Sequence, residues 1–212
     1  MFKYVINKKL AEETGIHSGD GSMNIYKGVS TYTLACHHID DKEYMDTFLV
    51  PLYDEIYDIK PKARRWSKGS YGFRIHDKKI IGFKHDILGL PYGKKSHIEI
   101  PSAILKRTDL MKAFIKGFVD TDGGINTFLA NQKKVYPRIE MCNTSIELVN
   151  QINRSLLDLG FKTSIWTVNH NKPGWRTALR LTVNGFHMLK KWKKEIGFSN
   201  PKNIEKLDKL GI

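Results

Sequence analysis

Residues 108–126 read TDLMKAFIKGFVDTDGGIN, and this stretch decides the fold of the chain. Its apolar residues recur at helical spacing, a Thr108/Asp109 cap marks the helix start, and the acidic, glycine-terminated turn after Asp120 marks its end. Residues 10–23 read LAEETGIHSGDGSM and repeat this pattern. Four pairs share one spacing of 102 residues: Ala11 and Ala113, Gly15 and Gly117, Asp20 and Asp122, Gly21 and Gly123. The sequence therefore predicts an internal duplication of a small-residue helix that ends in a carboxylate.

The small residues of the two predicted helices indicate how the helices meet. Ala11, Gly15 and Gly19 recur every four residues, a spacing that forms a groove in which another helix backbone approaches closely. The second copy repeats the groove, so the two helix ends are expected side by side. Asp20 and Asp122 would then repel each other beside two negative helix dipole ends. A hard divalent cation with oxygen ligands relieves that repulsion, which indicates Mg²⁺ and metal-activated phosphodiester hydrolysis.

Composition limits the classes of function. Of the 212 residues, 35 are Lys or Arg and 22 are Asp or Glu, a formal charge of +13 that favours a polyanionic partner such as nucleic acid. Two cysteines, Cys36 and Cys142, exclude a disulfide framework and are expected as free thiols. The chain shows no signal-peptide pattern and no apolar run of about 20 residues. We therefore expect an intracellular protein without a membrane partner.

The rest of the chain follows the duplication. Each half reads helix, hairpin, helix, hairpin, helix, which predicts an α+β fold of two pseudo-symmetric αββαββα halves with the motif helices packed at the interface between them. The domain prediction is residues 1–90 for the first half, 91–107 for a linker rich in Pro and Gly, and 108–212 for the second half. In the first half, Asn7 and Asp41 are expected to cap helices and Pro51 to kink one. Strands are expected at 23–26, 30–39, 62–67 and 71–76 in the first half. In the second half they are expected at 124–129, 138–143, 162–168 and 177–183. A polar tail is expected after residue 196.

The segment FIKGFVDTDG resembles the LAGLIDADG motif, and LAEETGIHSGDG resembles a more diverged copy of it. The chain is similar over nearly its whole length to the single-chain, double-motif LAGLIDADG homing endonucleases of archaeal and organellar introns and inteins. The IPSAIL linker at residues 100–105 is also of that family's type. The resemblance implies two four-stranded sheets that form a saddle over the DNA major groove, with the motif ends under the minor groove. It implies a monomer that cuts both strands of a long asymmetric DNA site with Mg²⁺, with Mn²⁺ as a substitute and Ca²⁺ bound without cleavage.

The resemblance also assigns roles to individual residues. Asp20 and Asp122, each with the residue before it (Gly19 and Thr121), are expected to hold metal and to catalyse cleavage. Lys95 and Lys202 are expected to act near the reacting phosphate, and His38 (or its neighbour His37) and Asn143 to order water around the metals. The predicted DNA-binding residues on strands and turns are Lys62, Arg64, Arg65, Lys68, Tyr71, Arg74, Lys133, Lys134, Arg138, Lys172, Arg176 and Arg180.

Two alternatives remain open from the sequence. The same fold, with its basic and aromatic strands, also suits a maturase that binds its host intron RNA. A regulator that binds DNA without cutting it is a second alternative. The presence of both Asp20 and Asp122 argues against it. No intein splice-junction residues are evident, which favours an intron-encoded, free-standing protein. Neither the target site nor the host gene can be deduced, since base contacts depend on side-chain reach across a bent duplex.

Overall fold

A computed structural model of the chain describes residues 4–130, 134–168 and 176–212. The first half begins with the motif helix α1 (Lys8–Gly19), followed by the hairpin β1 (Gly21–Tyr26) and β2 (Val29–His37). Helix α2 (Lys42–Tyr44) runs through a π-helical turn (Met45–Leu49) into α3 (Val50–Tyr57). Strands β3 (Arg64–Arg65) and β4 (Ser70–Ile75) follow, and then α4 (Lys78–Gly82), which continues into a second π-helical turn (Phe83–Ile87).

The second half repeats this order after the short linker helix α5 (Ser102–Leu105). The second motif helix is α6 (Thr108–Asp122), and it leads into the hairpin β5 (Gly123–Ala130) and β6 (Lys134–Asn143). Helix α7 (Ile146–Asp158), strands β7 (Thr163–Val168) and β8 (Ala178–Asn184), and helix α8 (Phe186–Glu195) complete the repeat. A final helix, α9 (Pro201–Lys209), has no counterpart in the predicted order. The described part of the chain contains no helix long and apolar enough to span a membrane.

Each half contains one antiparallel four-stranded sheet, in the orders β1-β2-β4-β3 and β5-β6-β8-β7. The registers of the two sheets match: Gly21 pairs with Leu34 as Gly123 pairs with Met141, and Leu34 pairs with Phe73 as Met141 pairs with Leu181. Because strand side chains alternate between faces, these residues share the inner face, which is buried against the helices. The α+β fold of two pseudo-repeated halves predicted from the sequence is therefore confirmed.

The two motif helices, α1 and α6, pack directly against each other through their small residues. A Cβ atom added at Gly15 would run into the carbonyl group of Phe114, and one added at Gly117 would run into the carbonyl group of Glu12. Each glycine therefore accepts the backbone of the opposite helix, in a reciprocal contact. The close approach brings together the C-terminal ends of both helices, and with them Asp20 and Asp122.

The core of the first half contains a buried ion pair that the sequence pattern did not indicate. Glu13 and Lys84 pair with both side chains fully buried, and the Glu13 carboxylate also accepts hydrogen bonds from the Tyr53 and Tyr57 hydroxyl groups. Burial of two charges is costly unless their remaining hydrogen-bonding groups are satisfied, and the tyrosines meet that requirement. The sheet and helices of the second half pack mainly through apolar residues such as Ile139, Leu181 and Trp192.

Several local predictions need correction. Asn7 caps α1 as expected, but α6 has no side-chain cap and Asp41 does not cap α2. Pro51, which lacks an N–H group, lies in the first turn of α3, and the backbone ahead of it widens into the π-helical turn. The predicted strand at 62–67 shortens to two residues, and the predicted polar tail folds as α9. That helix is short and mostly polar, so its helicity depends on the tertiary contacts described below.

Candidate active site at the ends of the motif helices

The site is built where α1 and α6 end. Asp20 follows α1 directly and Asp122 is the last residue of α6, and both carboxylates are partly buried. Gly21 follows Asp20, where a Cβ would come within 2.7 Å of the His17 Cα. The glycine is needed there for space, because its φ angle is not in the left-handed region expected for a helix-ending glycine.

Lys95 reaches the end of α1 from the segment after the second π-helical turn. Its ammonium group donates hydrogen bonds to the carbonyl oxygens of His17 (3.2 Å), Ser18 (3.1 Å) and Gly19. Carbonyl groups in the last turn of a helix lack the full set of helical donors, and Lys95 supplies one to each of these three, in addition to the Asp20 N–H that donates to the His17 oxygen. Its charge also opposes the negative end of the helix dipole. The Gly19 oxygen is thus occupied by Lys95 in this state. The Thr121 hydroxyl, at the matching place in α6, donates to the carbonyl oxygens of Gly117 and Phe118.

Asn143 orients the second carboxylate. Its side-chain amide donates a 2.7 Å hydrogen bond to Asp122 Oδ2, while its Oδ1 accepts from the backbone N–H of Ser145. Ser145 is itself the N-cap of α7 and donates its hydroxyl to the carbonyl of Ile98. Asn143 thus contacts Asp122 directly, while its role in ordering water stays a prediction.

Lys202 and Asp41 form a pair on the Asp20 side. The Lys202 Nζ lies 2.5 Å from Asp41 Oδ1, and the same oxygen accepts a 2.9 Å hydrogen bond from the Asn200 amide. Sequence reasoning placed Lys202 here but read Asp41 only as a helix cap. No local signal marks it, because its partners lie more than 150 residues away in the chain.

Asp120, the first acid of the second motif, has a role distinct from that of Asp122. It is almost fully buried, and its carboxylate accepts hydrogen bonds from the backbone N–H groups of Ser199 (2.6 Å) and Asn200 (3.1 Å) and from the Asn203 amide (3.0 Å). Burial raises the pKa of Asp120 to about 7, although these hydrogen bonds oppose the shift. Asp120 therefore anchors the start of α9, which brings Asn200 and Lys202 to Asp41.

The electrostatics reflect the crowding of carboxylates. Burial, followed by the charges of Asp122 and Asp41, raises the pKa of Asp20 to about 7, while Lys95 and Lys202 hold it down. Burial also raises the pKa of Asp122, with Lys95 and the Asn143 hydrogen bond opposing the shift. The pKa of Lys95 is lowered by burial, against the attraction of both aspartates. A cation placed between the carboxylates would favour their ionised forms.

The ends of β2 and β6 do not place His37 or His38 at the position that corresponds to Asn143. Because Leu34 corresponds to Met141, the counterpart of Asn143 is Cys36 and not His37 or His38. The Cys36 thiol lies within hydrogen-bond distance of the carbonyl oxygens of Asp41 and Tyr71. Burial, together with the nearby charges of Asp41 and Asp20, raises the pKa of the thiol to about 12. The His37 ring pairs with Asp40 at the surface, and the buried Nδ1 of His38 has no hydrogen-bond partner in the described part of the chain. The two carboxylates thus have different neighbours, and the role of His38 stays a prediction.

The outer face of each sheet, turned away from the helices, holds part of the predicted DNA-binding set. Arg74 lies on the first outer face, with its guanidinium 4.8 Å from the Trp66 ring centre, and Arg138 and Arg180 lie on the second. Four further exposed residues of the set lie on β3 or in the segments beside it: Lys62, Arg64, Arg65 and Lys68. Arg176 is also exposed and lies just before β8. Lys133 and Lys172, and the side chain of Lys134, lie outside the described residues.

Tyr71 does not belong to the outer face. It alternates with Gly72 along β4 and lies on the inner side, where its hydroxyl donates a 2.7 Å hydrogen bond to Asp46 in the first π-helical turn. The predicted DNA contact of Tyr71 is therefore corrected to a sheet-to-helix contact. Arg65 also turns to its own loop, and its guanidinium donates to the carbonyl oxygens of Ser67 and Lys68.

The residues of the site fit a divalent cation that is shared with a substrate. Asp20 and Asp122 offer carboxylate oxygens at adjoining helix ends, and the Asp122 charge raises the pKa of Asp20. Within residues 4–130, 134–168 and 176–212, no cluster of three or more His, Cys, Asp and Glu side chains could hold a metal by itself. A cation here needs additional ligands, which suits Mg²⁺ because it commonly keeps waters and binds substrate phosphates.

The duplicated α+β fold pairs two motif helices and brings a carboxylate to the end of each. Residues 109–197 match the family model of the LAGLIDADG-like domain. Among solved structures, the chain is similar to the homing endonuclease I-DmoI in complex with DNA and Mn (19% identity, TM-score 0.62, 91% of this chain and 98% of that chain). It is also similar to the meganuclease I-SmaMI bound to uncleavable DNA (12% identity, TM-score 0.61, 96% and 88%). The chain therefore contains a LAGLIDADG-like domain and has the fold of the LAGLIDADG homing endonucleases.

Curated relatives add a different observation. The chain matches the replication factor C small subunit of Methanocaldococcus jannaschii at 25% identity over 95% of its own length, and the probable translation initiation factor IF-2 of the same organism at 28% over 70%. It spans only 10% and 12% of those two proteins. The likeness is therefore to one segment of each of these longer proteins.

Proposed function

We propose that this chain is a site-specific DNA endonuclease that hydrolyses both strands of a long, asymmetric duplex target with a divalent metal ion, acting as a monomer. The observation that carries this proposal is the meeting of Asp20 and Asp122 at the joined ends of α1 and α6. The fold is shared with I-DmoI, whose structures include complexes with DNA and Mn and with DNA and Ca. The net charge of +13 favours the same kind of partner.

The chain's own residues have separate tasks in this mechanism. Asp20 and Asp122 hold the cation, Mg²⁺ by preference, and Asn143 keeps the Asp122 carboxylate oriented. When bound, the ion supplies a Lewis acid for the phosphate and lowers the pKa of its bound water. Lys95 and Lys202 lie beside the aspartates, where an ammonium stabilises the charge that develops on a reacting phosphate. In the present structure Lys95 donates to three α1 carbonyl oxygens and Lys202 pairs with Asp41.

Pseudo-symmetry accounts for cutting of both strands. Each motif contributes one carboxylate, so each half serves one strand, and the unlike halves require a non-palindromic target. The outer sheet faces, with Arg74 on one and Arg138 and Arg180 on the other, are placed to contact the duplex on both sides of the cut.

The test is cleavage of a randomised duplex library in Mg²⁺, read by sequencing the cut ends. We expect the wild type to yield one asymmetric motif, and Asp20→Asn and Asp122→Asn each to abolish double-strand cleavage while binding is retained. Asp109→Asn is the matched control, since this exposed aspartate lies at the opposite end of the same helix as Asp122, paired with Arg107. Full cutting by the double variant Asp20→Asn/Asp122→Asn would refute the mechanism. Binding of intron RNA in preference to every duplex would instead support the maturase alternative.

A further inference from the structure

The outer face of the second sheet contains a cluster of one acid and two arginines. Glu140 on β6 lies between them, with Arg138 Nη2 at 2.6 Å from one carboxylate oxygen and Arg180 Nη1 at 3.2 Å from the other. The register places all three side chains on the same face, because Glu140 is two residues from both Arg138 and Cys142, and Cys142 pairs with Arg180. We call Arg138, Glu140 and Arg180 the arginine–glutamate cluster.

The three side chains pair with one another and remain partly exposed. Glu140 is largely buried, at 14% side-chain exposure, whereas Arg138 and Arg180 remain 28% and 34% exposed. The Phe128 ring lies 5.2 Å from the Arg138 guanidinium and gives it a second support. Each guanidinium carries five N–H donors, and the ion pair with Glu140 uses only part of them. The exposed edges of both arginines therefore remain available to a ligand.

The first sheet has no equivalent cluster. The matched registers place Thr31, Thr33 and Gly72 at the positions of Arg138, Glu140 and Arg180. Gly72 leaves no room for an arginine, because a Cβ there would meet Ala35 Cα at 2.8 Å. The charge cluster is thus a feature of one half only, and it makes the two outer faces chemically unlike.

We propose, on the basis of the proposed DNA-binding function, that the arginine–glutamate cluster reads guanine in the half-site under the second sheet, with Glu140 as the positioning residue for both arginines. An arginine fork bonds the O6 and N7 atoms of guanine in the major groove better than it bonds any other base edge. Two guanidinium groups held by one carboxylate lie no more than about 8 Å apart, which is about two base-pair steps of ~3.4 Å. The target is therefore expected to contain guanines within two steps of each other under the second sheet.

The carboxylate explains why the arginines discriminate and do not merely grip phosphate. A free arginine reaches phosphates of any sequence, whereas one held in a fixed orientation loses less entropy when it binds a base edge. Glu140 also repels the phosphate backbone, so it weakens binding to duplexes that offer the arginines no guanine.

Selection of duplexes by binding, without divalent metal so that nothing is cut, tests this inference. From a randomised library the wild type should enrich a motif with one or two guanines in one half-site. Arg138→Lys and Arg180→Lys keep the charge but lose the fork, and each should reduce the preference for one guanine about 5- to 150-fold. Glu140→Gln should weaken both guanine preferences together while binding to unrelated duplex becomes tighter. Glu43→Gln is the matched control, since it removes one acidic charge from an exposed position on α2 and should leave the motif unchanged.

The outcomes separate this inference from the function on which it rests. If no duplex is enriched, the DNA-binding proposal fails, and the role of the cluster fails with it. If a motif is enriched but lacks guanine, or keeps it unchanged in both lysine variants, only the cluster's role in reading bases is overturned. Unchanged guanine preference in a folded Glu140→Gln protein overturns the role of Glu140.

Discussion

Replacing Gly15 with alanine tests the helix contact that brings the two aspartates together. In an isolated helix this change is favourable by about 1 kcal/mol, because alanine has the higher helix propensity. In this protein the new Cβ would run into the Phe114 carbonyl and lie 2.9 Å from the Phe118 nitrogen, both backbone atoms of α6. Ordinary contacts need about 3.5–4.0 Å, so α1 and α6 must separate by roughly 1 Å.

The expected magnitude follows from that separation. Overpacking of a core costs about 1–3 kcal/mol, and a clash with rigid backbone belongs at the upper end of this range. We therefore expect Gly15→Ala to lower the free energy of unfolding by about 2–3 kcal/mol, measured by urea denaturation. A displacement of about 1 Å at a catalytic group costs on the order of 100-fold in rate, so cleavage should fall by about that factor under conditions where the variant is folded.

Gly69→Ala is the control for the general effect of adding a methyl group. Gly69 has no atom within 4 Å of the built Cβ, and its φ angle lies outside the left-handed region. We expect it to change the free energy of unfolding by less than about 0.5 kcal/mol. If Gly15→Ala were as stable and as active as this control, the close backbone contact would not be what places Asp20 beside Asp122.

Two further predictions concern the aspartates themselves. The Asp20 carboxyl ionises near pH 7 in the fold and near 3.9 when unfolded, so the folded state binds more protons between these values and stability falls as the pH rises through this window. We expect Asp20→Asn to stabilise the metal-free protein by about 1–3 kcal/mol at pH 8 and not at pH 4, a modest effect because the side chain is only partly shielded from water. Urea denaturation at both pH values measures the change in the free energy of unfolding. Equal effects at the two pH values would contradict the explanation by a buried charge. Asn143→Leu should slow cleavage of the strand served by Asp122 and shift the pH profile of that cleavage upward. In the wild type the Asn143 hydrogen bond lowers the pKa of the Asp122 carboxyl, so the pKa rises when the bond is removed. End-labelled duplexes resolve the two strands, and equal slowing of both would show that Asn143 does not act through Asp122.

The local pattern of the chain was sufficient for the order of elements and for the main pair of residues. The helical spacing of small residues predicted how α1 and α6 meet. The 102-residue repeat distinguished Asp122, which corresponds to Asp20, from Asp120, which corresponds to Ser18. The strands predicted at 138–143 and 177–183 contain Arg138 and Arg180, and both residues do lie on strands. These are properties of neighbouring residues, so the sequence by itself determined them.

Long-range contacts decided the rest. The register of β1 with β2 showed that Cys36 and not a histidine matches Asn143, a one-residue difference that reverses the face of a side chain. Asp41 joined the site only because Asp120 anchors α9 and thereby brings Asn200 and Lys202 to it. The placement of Glu140 between two arginines likewise depends on strands brought together by folding. Such groups meet through contacts between residues tens to more than a hundred positions apart, which no local pattern in the chain records.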